Sequence, residues 1–266
     1  MEAFWGTIIP EKITCLCSRR GRTKLAERGG TMELSVFEVV GPIMIGSSSS
    51  HTAGAAKLAR IAGIIAGEPY DRVSFGLHGS FAKTYRGHGT DRALVFGALG
   101  YYEDDERLPN AFEMAKQAGL SYNFYETELE GAHENTAVLS FFQRDRLICR
   151  VIGSSIGGAQ IIITQIDDFP TYFTAQSPAL ILSYQDRPGA ISKLTGVLAE
   201  YGINIAVMKV SRLKKGGTAL CTIETDEAIP EQAAEQLKTI PKVFQVRAIN
   251  LFREEESPCT EPQKSC

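Results

Sequence analysis

The feature that most constrains folding is a pattern that restarts after Asp167-Asp168-Phe169-Pro170 and fits six elements into the next stretch of chain. Ala179 to Ser183 is an apolar strand, and Asp186-Arg187-Pro188-Gly189 is a turn feeding a helix over Ala190 to Tyr201 that Gly202 closes. Ile203 to Val210 reads as a second strand, Lys214-Lys215-Gly216-Gly217 as a hairpin turn, and Thr218 to Thr225 as a third strand. Pro230 suits the first turn of a helix reaching Thr239, and Val243 to Leu251 completes the unit. The order β-α-β-β-α-β is that of a ferredoxin-like domain, expected over residues 177–251. Residues 252–266, charged and proline-containing, read as a flexible tail.

A chain of 266 residues has room for a second domain. Residues 1–31 carry Ser18-Arg19-Arg20-Gly21-Arg22 and Gly29-Gly30 without apolar periodicity and are expected to form a loose extension. From residue 32 to 170 the reading is a mixed α/β domain. A short apolar segment, Ser35 to Ile45, precedes a helix from about His51 to Gly67, where Ala55, Leu58, Ala59, Ala62 and Ile65 make one apolar stripe. Arg72 to His78 is predicted as a strand, Thr90 to Tyr101 and Leu108 to Ala118 as helices, and Ser121 to Leu129, Thr136 to Gln143, Leu147 to Ile152 and Ala159 to Ile166 as strands. Elements in that order point to the α+β class with a largely antiparallel sheet.

Composition removes several function classes. A formal charge of −3 supplies no general attraction for nucleic acid or anionic lipid. Apolar runs such as Leu58 to Ala66 end well short of the ~18 residues that a membrane span needs. Six cysteines without repeated CxxC spacing do not make a disulfide framework, and they suit a reducing, cytoplasmic setting. Cys15 and Cys17 lack nearby histidines, so they read as ordinary thiols.

All four histidines fall in the first domain, three of them in small polar clusters. Ser47-Ser48-Ser49-Ser50-His51-Thr52 runs straight into a helix, where amide groups and hydroxyls can receive a carboxylate or phosphate; the same residues could equally form a solvated N-cap. Gly79-Ser80-Phe81-Ala82-Lys83-Thr84 and Gly87-His88-Gly89-Thr90-Asp91 bring a base, a hydroxyl and a carboxylate between glycines, although Thr90 and Asp91 could simply cap a helix. His133-Glu134-Asn135-Thr136 precedes a strand and alone is weak evidence for a site.

Together these clusters resemble the beta subunit of the iron-sulfur-dependent L-serine dehydratases, or L-serine ammonia-lyases. The resemblance is carried by Ser35-Val36-Phe37, Gly41-Pro42-Ile43-Met44-Ile45-Gly46, Ser48-Ser49-Ser50-His51-Thr52-Ala53-Gly54, Gly79 to Thr84, Gly87 to Asp91 and Ser155-Ile156-Gly157-Gly158. Arg187-Pro188-Gly189-Ala190 and Gly202-Ile203-Asn204-Ile205-Ala206 resemble an ACT regulatory domain. The chain departs from the family pattern at Ser47 and Glu134, where proline is usual, and at Ala159, where a third glycine is common.

The resemblance implies deamination of L-serine to pyruvate and ammonia, with a [4Fe-4S] cluster held by the cysteines of a partner alpha subunit. It implies His51 as the catalytic base or proton carrier and Ser48, Ser49, Ser50 and Thr52 as the receptor for the substrate carboxylate. His88, Thr90 and Asp91 would line the pocket, and His133 with Asn135 would close it. In the ACT unit, Asp186, Pro188, Gly189, Ala190 and Asn204 would meet a regulatory amino acid, with self-association through that unit. No metal ligand is expected in this chain, and no nucleic-acid or membrane partner. Two alternatives stay open: a non-catalytic serine-sensing module, and a pyridoxal phosphate lyase using Lys83, against which the short first domain and the lack of a glycine-rich phosphate cradle count.

Overall fold

A computed structural model describes residues 48–250. The expected extension over 1–31, with Cys15 and Cys17, the apolar segment Ser35 to Ile45, Ser47, and the tail 252–266 with Leu251 before it lie outside the described residues.

Helix α1 (Ala53–Ala66) has the sequence AGAAKLARIAGIIA, and a helix apolar almost all round has to be buried. It is: Ala55, Leu58, Ala59, Ile61 and Ala62 are fully enclosed. Its one buried charge, Arg60, pairs with the Glu103 carboxylate at 3.1 Å and stacks on the Tyr102 ring. Small residues let other elements come close. A Cβ at Gly97 of α3 (Thr90–Ala98) would sit 2.0 Å from the Ala56 carbonyl oxygen, and one at Gly153 would sit 2.6 Å from Leu58. The helix is thus clamped between α3 and the sheet.

That sheet has six strands: β1 (Arg72–Leu77), β2 (Ser121–Glu126), β3 (Thr136–Gln143), β4 (Arg146–Gly157), β5 (Gln160–Ile166) and β6 (Phe169–Phe173). Their order is β2-β1-β3-β4-β5-β6, antiparallel except for the β1–β2 pair. The parallel pair needs a crossover, and α2 (Gly79–Thr84), α3 and α4 (Ala111–Ala118) supply it. Among the described residues no helix is long and apolar enough to cross a membrane.

The C-terminal elements are β7 (Ala179–Gln185), α5 (Ala190–Glu200), β8 (Ile205–Arg212), β9 (Thr218–Thr225), α6 (Glu231–Thr239) and β10 (Val243–Ile249). They form an antiparallel sheet in the order β10-β7-β9-β8, with a core of its own in which Leu180, Leu194, Leu198 and Leu237 are fully enclosed. The α+β class and the ferredoxin-like order are both observed. The two sheets meet through a buried Thr171–Thr222 hydroxyl pair at 3.0 Å and through Arg247 of β10, which donates to the Ala66 carbonyl at the end of α1.

Three elements depart from expectation. Strand β4 continues past Ile152 to Gly157, because Ser154 and Ser155 face the interior and Gly153 makes room for Leu58. Strand β6 contains Pro170, which the sequence suggests as a break; β6 is an edge strand, where a missing amide costs nothing. Helix α2 is six residues long, too short for periodicity to show. Smaller shifts occur at ends, as where the helix expected to reach Tyr101 stops at Ala98 and the strand expected to reach Leu129 stops at Glu126.

Ala159, one of the departures from the family pattern, lies in the left-handed region with φ of 59°. A Cβ there is penalised by about 1 kcal/mol. Ala159→Gly is therefore expected to raise the melting temperature by roughly 2–4 °C, measured by thermal unfolding; a fall would show that the added chain freedom outweighs the relieved strain.

Candidate active site

The Ser48–Thr52 turn leads into α1, with the Thr52 amide donating to the Ser48 carbonyl at 3.0 Å and the Gly54 amide to the Ser49 carbonyl at 2.9 Å. The turn points His51 inward, leaving it 8% exposed. Ser48 Oγ lies 3.1 Å from Nδ1 and Ser80 Oγ lies 3.2 Å from Nε2. Hydroxyls can donate or accept, so either neutral tautomer is satisfied. The Phe81 ring meets the imidazole edge-on at 5.3 Å, and the His88 ring does so at 4.7 Å. Burial first, then the neighbouring His88, holds the His51 pKa below its ordinary 6.5. At neutral pH the ring is uncharged and can take a proton.

Ser80 reaches His51 because of Gly79. Gly79 has φ of 57°, and a Cβ there would lie 2.7 Å from the Glu134 carbonyl oxygen, so only glycine permits the approach. That same carbonyl accepts the Ser80 and Phe81 amides at 2.8 and 3.3 Å, which pins the start of α2. Glu134 therefore acts through its backbone oxygen, which a proline would also offer. Ser80 appears in the sequence only as part of a motif; its position against the imidazole depends on the β1–α2 turn and was not legible there.

The structure divides the expected carboxylate receptor. Ser48 is spent on His51, and Thr52 donates to the His88 carbonyl at 3.4 Å, tying the two site loops together. The Ser49 and Ser50 hydroxyls have no hydrogen-bond partner among the described residues. Ser50 looks toward Gly157 at the end of β4.

The remaining expected residues scatter. The exposed His88 packs directly on His51. Thr90 is fully enclosed, its hydroxyl without a partner among the described residues. Asp91 sits in the first turn of α3 and accepts the Arg92 amide; burial raises its pKa, and its charge is felt at Tyr122 rather than at His51. The exposed His133 accepts the Asn135 amide through Nδ1 at 3.1 Å, while the Asn135 carbonyl receives the Ser155 amide. These bonds shape the turn before β3, and none reaches His51.

A cleft of about 790 Å³ opens beside this cluster, along Gly79 and Lys83. Glu126, Glu128, Glu130 and Glu134 line it, and so much negative charge disfavours a carboxylate ligand.

In the C-terminal unit Asp186 is bound to Arg212 at 2.5 Å and to the Gly216 amide at 3.1 Å, which keep its pKa low. Asn204 donates instead to Asp226 at 2.6 Å. Gly189 has φ of 78° at the start of α5, followed by Ala190, whose amide bonds to the Arg187 carbonyl; Pro188 is exposed. No hydrogen bond joins Asp186 to Asn204 among the described residues.

Comparison with known proteins settles the family. A model of the serine dehydratase beta chain matches residues 35–118, and one of the ACT domain matches residues 179–242. The chain is 38% identical over 215 residues to the probable L-serine dehydratase, beta chain, of Bacillus subtilis, covering 81% of this chain and 97% of that one. It belongs to the serine dehydratase beta chain family. A second member, the L-serine dehydratase, beta chain, of Peptoniphilus asaccharolyticus, is 42% identical over 200 residues, covering 75% of this chain and 90% of that one. The chain is also similar to part of another enzyme: the D-3-phosphoglycerate dehydrogenase of Methanocaldococcus jannaschii is 30% identical over 144 residues, 54% of this chain but only 27% of that protein.

Proposed function

We propose that this chain forms one wall of an L-serine dehydratase pocket, with His51 as the base that removes the substrate α-proton. The observation that carries the proposal is the His51 imidazole itself: enclosed, held at both nitrogens by hydroxyls, and kept neutral by burial. A general base works best when its pKa lies near the working pH, and a lowered value keeps the ring unprotonated there. Ser49 and Ser50, at the mouth of α1 with hydroxyls that have no hydrogen-bond partner among the described residues, would receive the substrate carboxylate. Ser48 and Ser80 act as positioning residues that fix the ring.

Among the described residues the donor set does not fit an iron-sulfur cluster. Cys149 and Cys221 are buried in separate cores, and burial pushes both thiols up, Cys221 to about 12, whereas cluster ligands are thiolates. No cluster of three or more metal-ligating side chains occurs among the described residues. In this reading a [4Fe-4S] cluster belongs to a partner alpha subunit, where it would serve as a Lewis acid for the poor hydroxide leaving group. Loss of the α-proton to His51 and of hydroxide gives aminoacrylate, which water converts to pyruvate and ammonia.

The ACT-like unit would serve self-association, since Val207 and Val210 on the edge strand β8 are 52% and 44% exposed. The second reading, a non-catalytic serine-sensing module, is favoured by the segment shared with the dehydrogenase. Anaerobic assay with and without an alpha subunit decides between them. Pyruvate formation only in the mixture supports the dehydratase, while serine binding without turnover in either case supports the sensor.

The lowered pKa has a direct consequence. The acid limb of kcat/KM, where His51 gains a proton, is expected below pH 6.5. His88→Asn removes one of the two influences that lower the pKa, so the limb should move upward while burial still holds it under 6.5. A pH profile of the two proteins checks this, and an unmoved limb would detach His88 from the base.

A further inference from the structure

A second polar constellation lies at the other end of α1, where the two sheets meet. A cavity of about 280 Å³ is lined by Ile148, Ile181 and Leu220, with Asp167 from the β5–β6 turn and Arg247 from β10. The guanidinium is poorly matched. Its terminal nitrogens make long bonds to the Ala66 and Val246 carbonyls, at 3.4 and 3.3 Å, and its enclosed Nε has no acceptor among the described residues. Buried donors without partners are rare, and each calls for an explanation.

Among the described residues Asp167 has no cation beside it: one carboxylate oxygen accepts the Arg150 amide at 2.9 Å and the Cys149 thiol hydrogen-bonds to the carboxylate, while no ion pair joins Asp167 to Arg247. Both groups nevertheless act on the buried Cys149, another lining residue: after burial, Asp167 raises the thiol pKa, and Arg247 lowers it. Two opposite, half-buried charges thus line one small pocket without an ion pair between them. A volume just below the ~300 Å³ at which small-molecule pockets begin excludes nucleotides and large cofactors.

We infer that this cavity binds a small zwitterion, an α-amino acid with a short branched apolar side chain, its carboxylate on Arg247, its ammonium on Asp167 and its side chain against Ile148, Ile181 and Leu220. The site is separate from His51 and from the Asp186–Ala190 turn, so it stands whether or not the dehydratase reading does.

Calorimetric titration of the full chain with L-valine tests it. Saturable binding is expected, at least tenfold weaker for isobutyrate and for isobutylamine, each of which keeps the branched chain and lacks one charge. Arg247→Met and Asp167→Asn should each weaken valine binding at least tenfold. Asparagine retains an oxygen for the Arg150 amide and tolerates the positive φ of position 167, so that variant should keep its fold even if Arg247→Met does not. Absence of saturable heat, equal binding of the singly charged analogues, or undiminished affinity in a folded variant would each overturn the assignment.

Discussion

Replacing His51 with alanine is expected to cut serine turnover by an assembled alpha–beta enzyme by ~100-fold or more. The magnitude follows from the loss of a positioned proton acceptor, since neither neighbour can take over. Ser48 and Ser80 are hydroxyls, and His88 meets the ring at 4.7 Å through an edge-on contact rather than a shared hydrogen bond. The variant also leaves a small void beside Phe81, so unfolding curves must accompany the rate measurements. A folded variant that turns over serine at near-normal rates would remove His51 from the chemistry.

The largest expected effect on stability comes from Gly97→Ala. The new methyl carbon would lie 2.0 Å from the Ala56 carbonyl oxygen and 2.9 Å from both the Ala56 carbonyl carbon and the Ala59 side chain. Two of these are backbone atoms and cannot rotate away, so α1 and α3 must separate. Overpacking of this kind costs about 3 kcal/mol, equivalent to a drop of roughly 6–12 °C in melting temperature. Because His88 lies in the loop just before α3 and His51 just before α1, parting the helices should also slow the assembled enzyme. A melting temperature within about 2 °C of the parent would mean that the helices part at little cost.

The C-terminal unit was legible because each of its bends is marked locally: Pro188-Gly189 before α5, Gly202 after it, Gly216-Gly217 in the hairpin, and Pro230 before α6. In the first domain the local marks mislead. Gly153-Ser154-Ser155 looks like a loop, yet it is strand, because Leu58 requires a residue without a side chain below it. Pro170 looks like a break, and only the position of β6 at a sheet edge makes it harmless.

The site divides in the same way. His51 stood out because a histidine after four serines at a helix start is chemically conspicuous. Ser80 did not, since its role depends on a left-handed glycine pressed against Glu134 from another part of the chain. Asp91 and His133 belong to equally polar clusters, but the helix and turn that carry them aim them elsewhere.

Helix α1 also has a mechanical meaning. Its fourteen residues span about 21 Å, with the imidazole at one tip and the grip of a neighbouring sheet on the other. Such a rod is a lever: pivoting it by about 3° around its held end would swing the far tip by about 1 Å, a misplacement large enough to change a reaction rate by about two orders of magnitude.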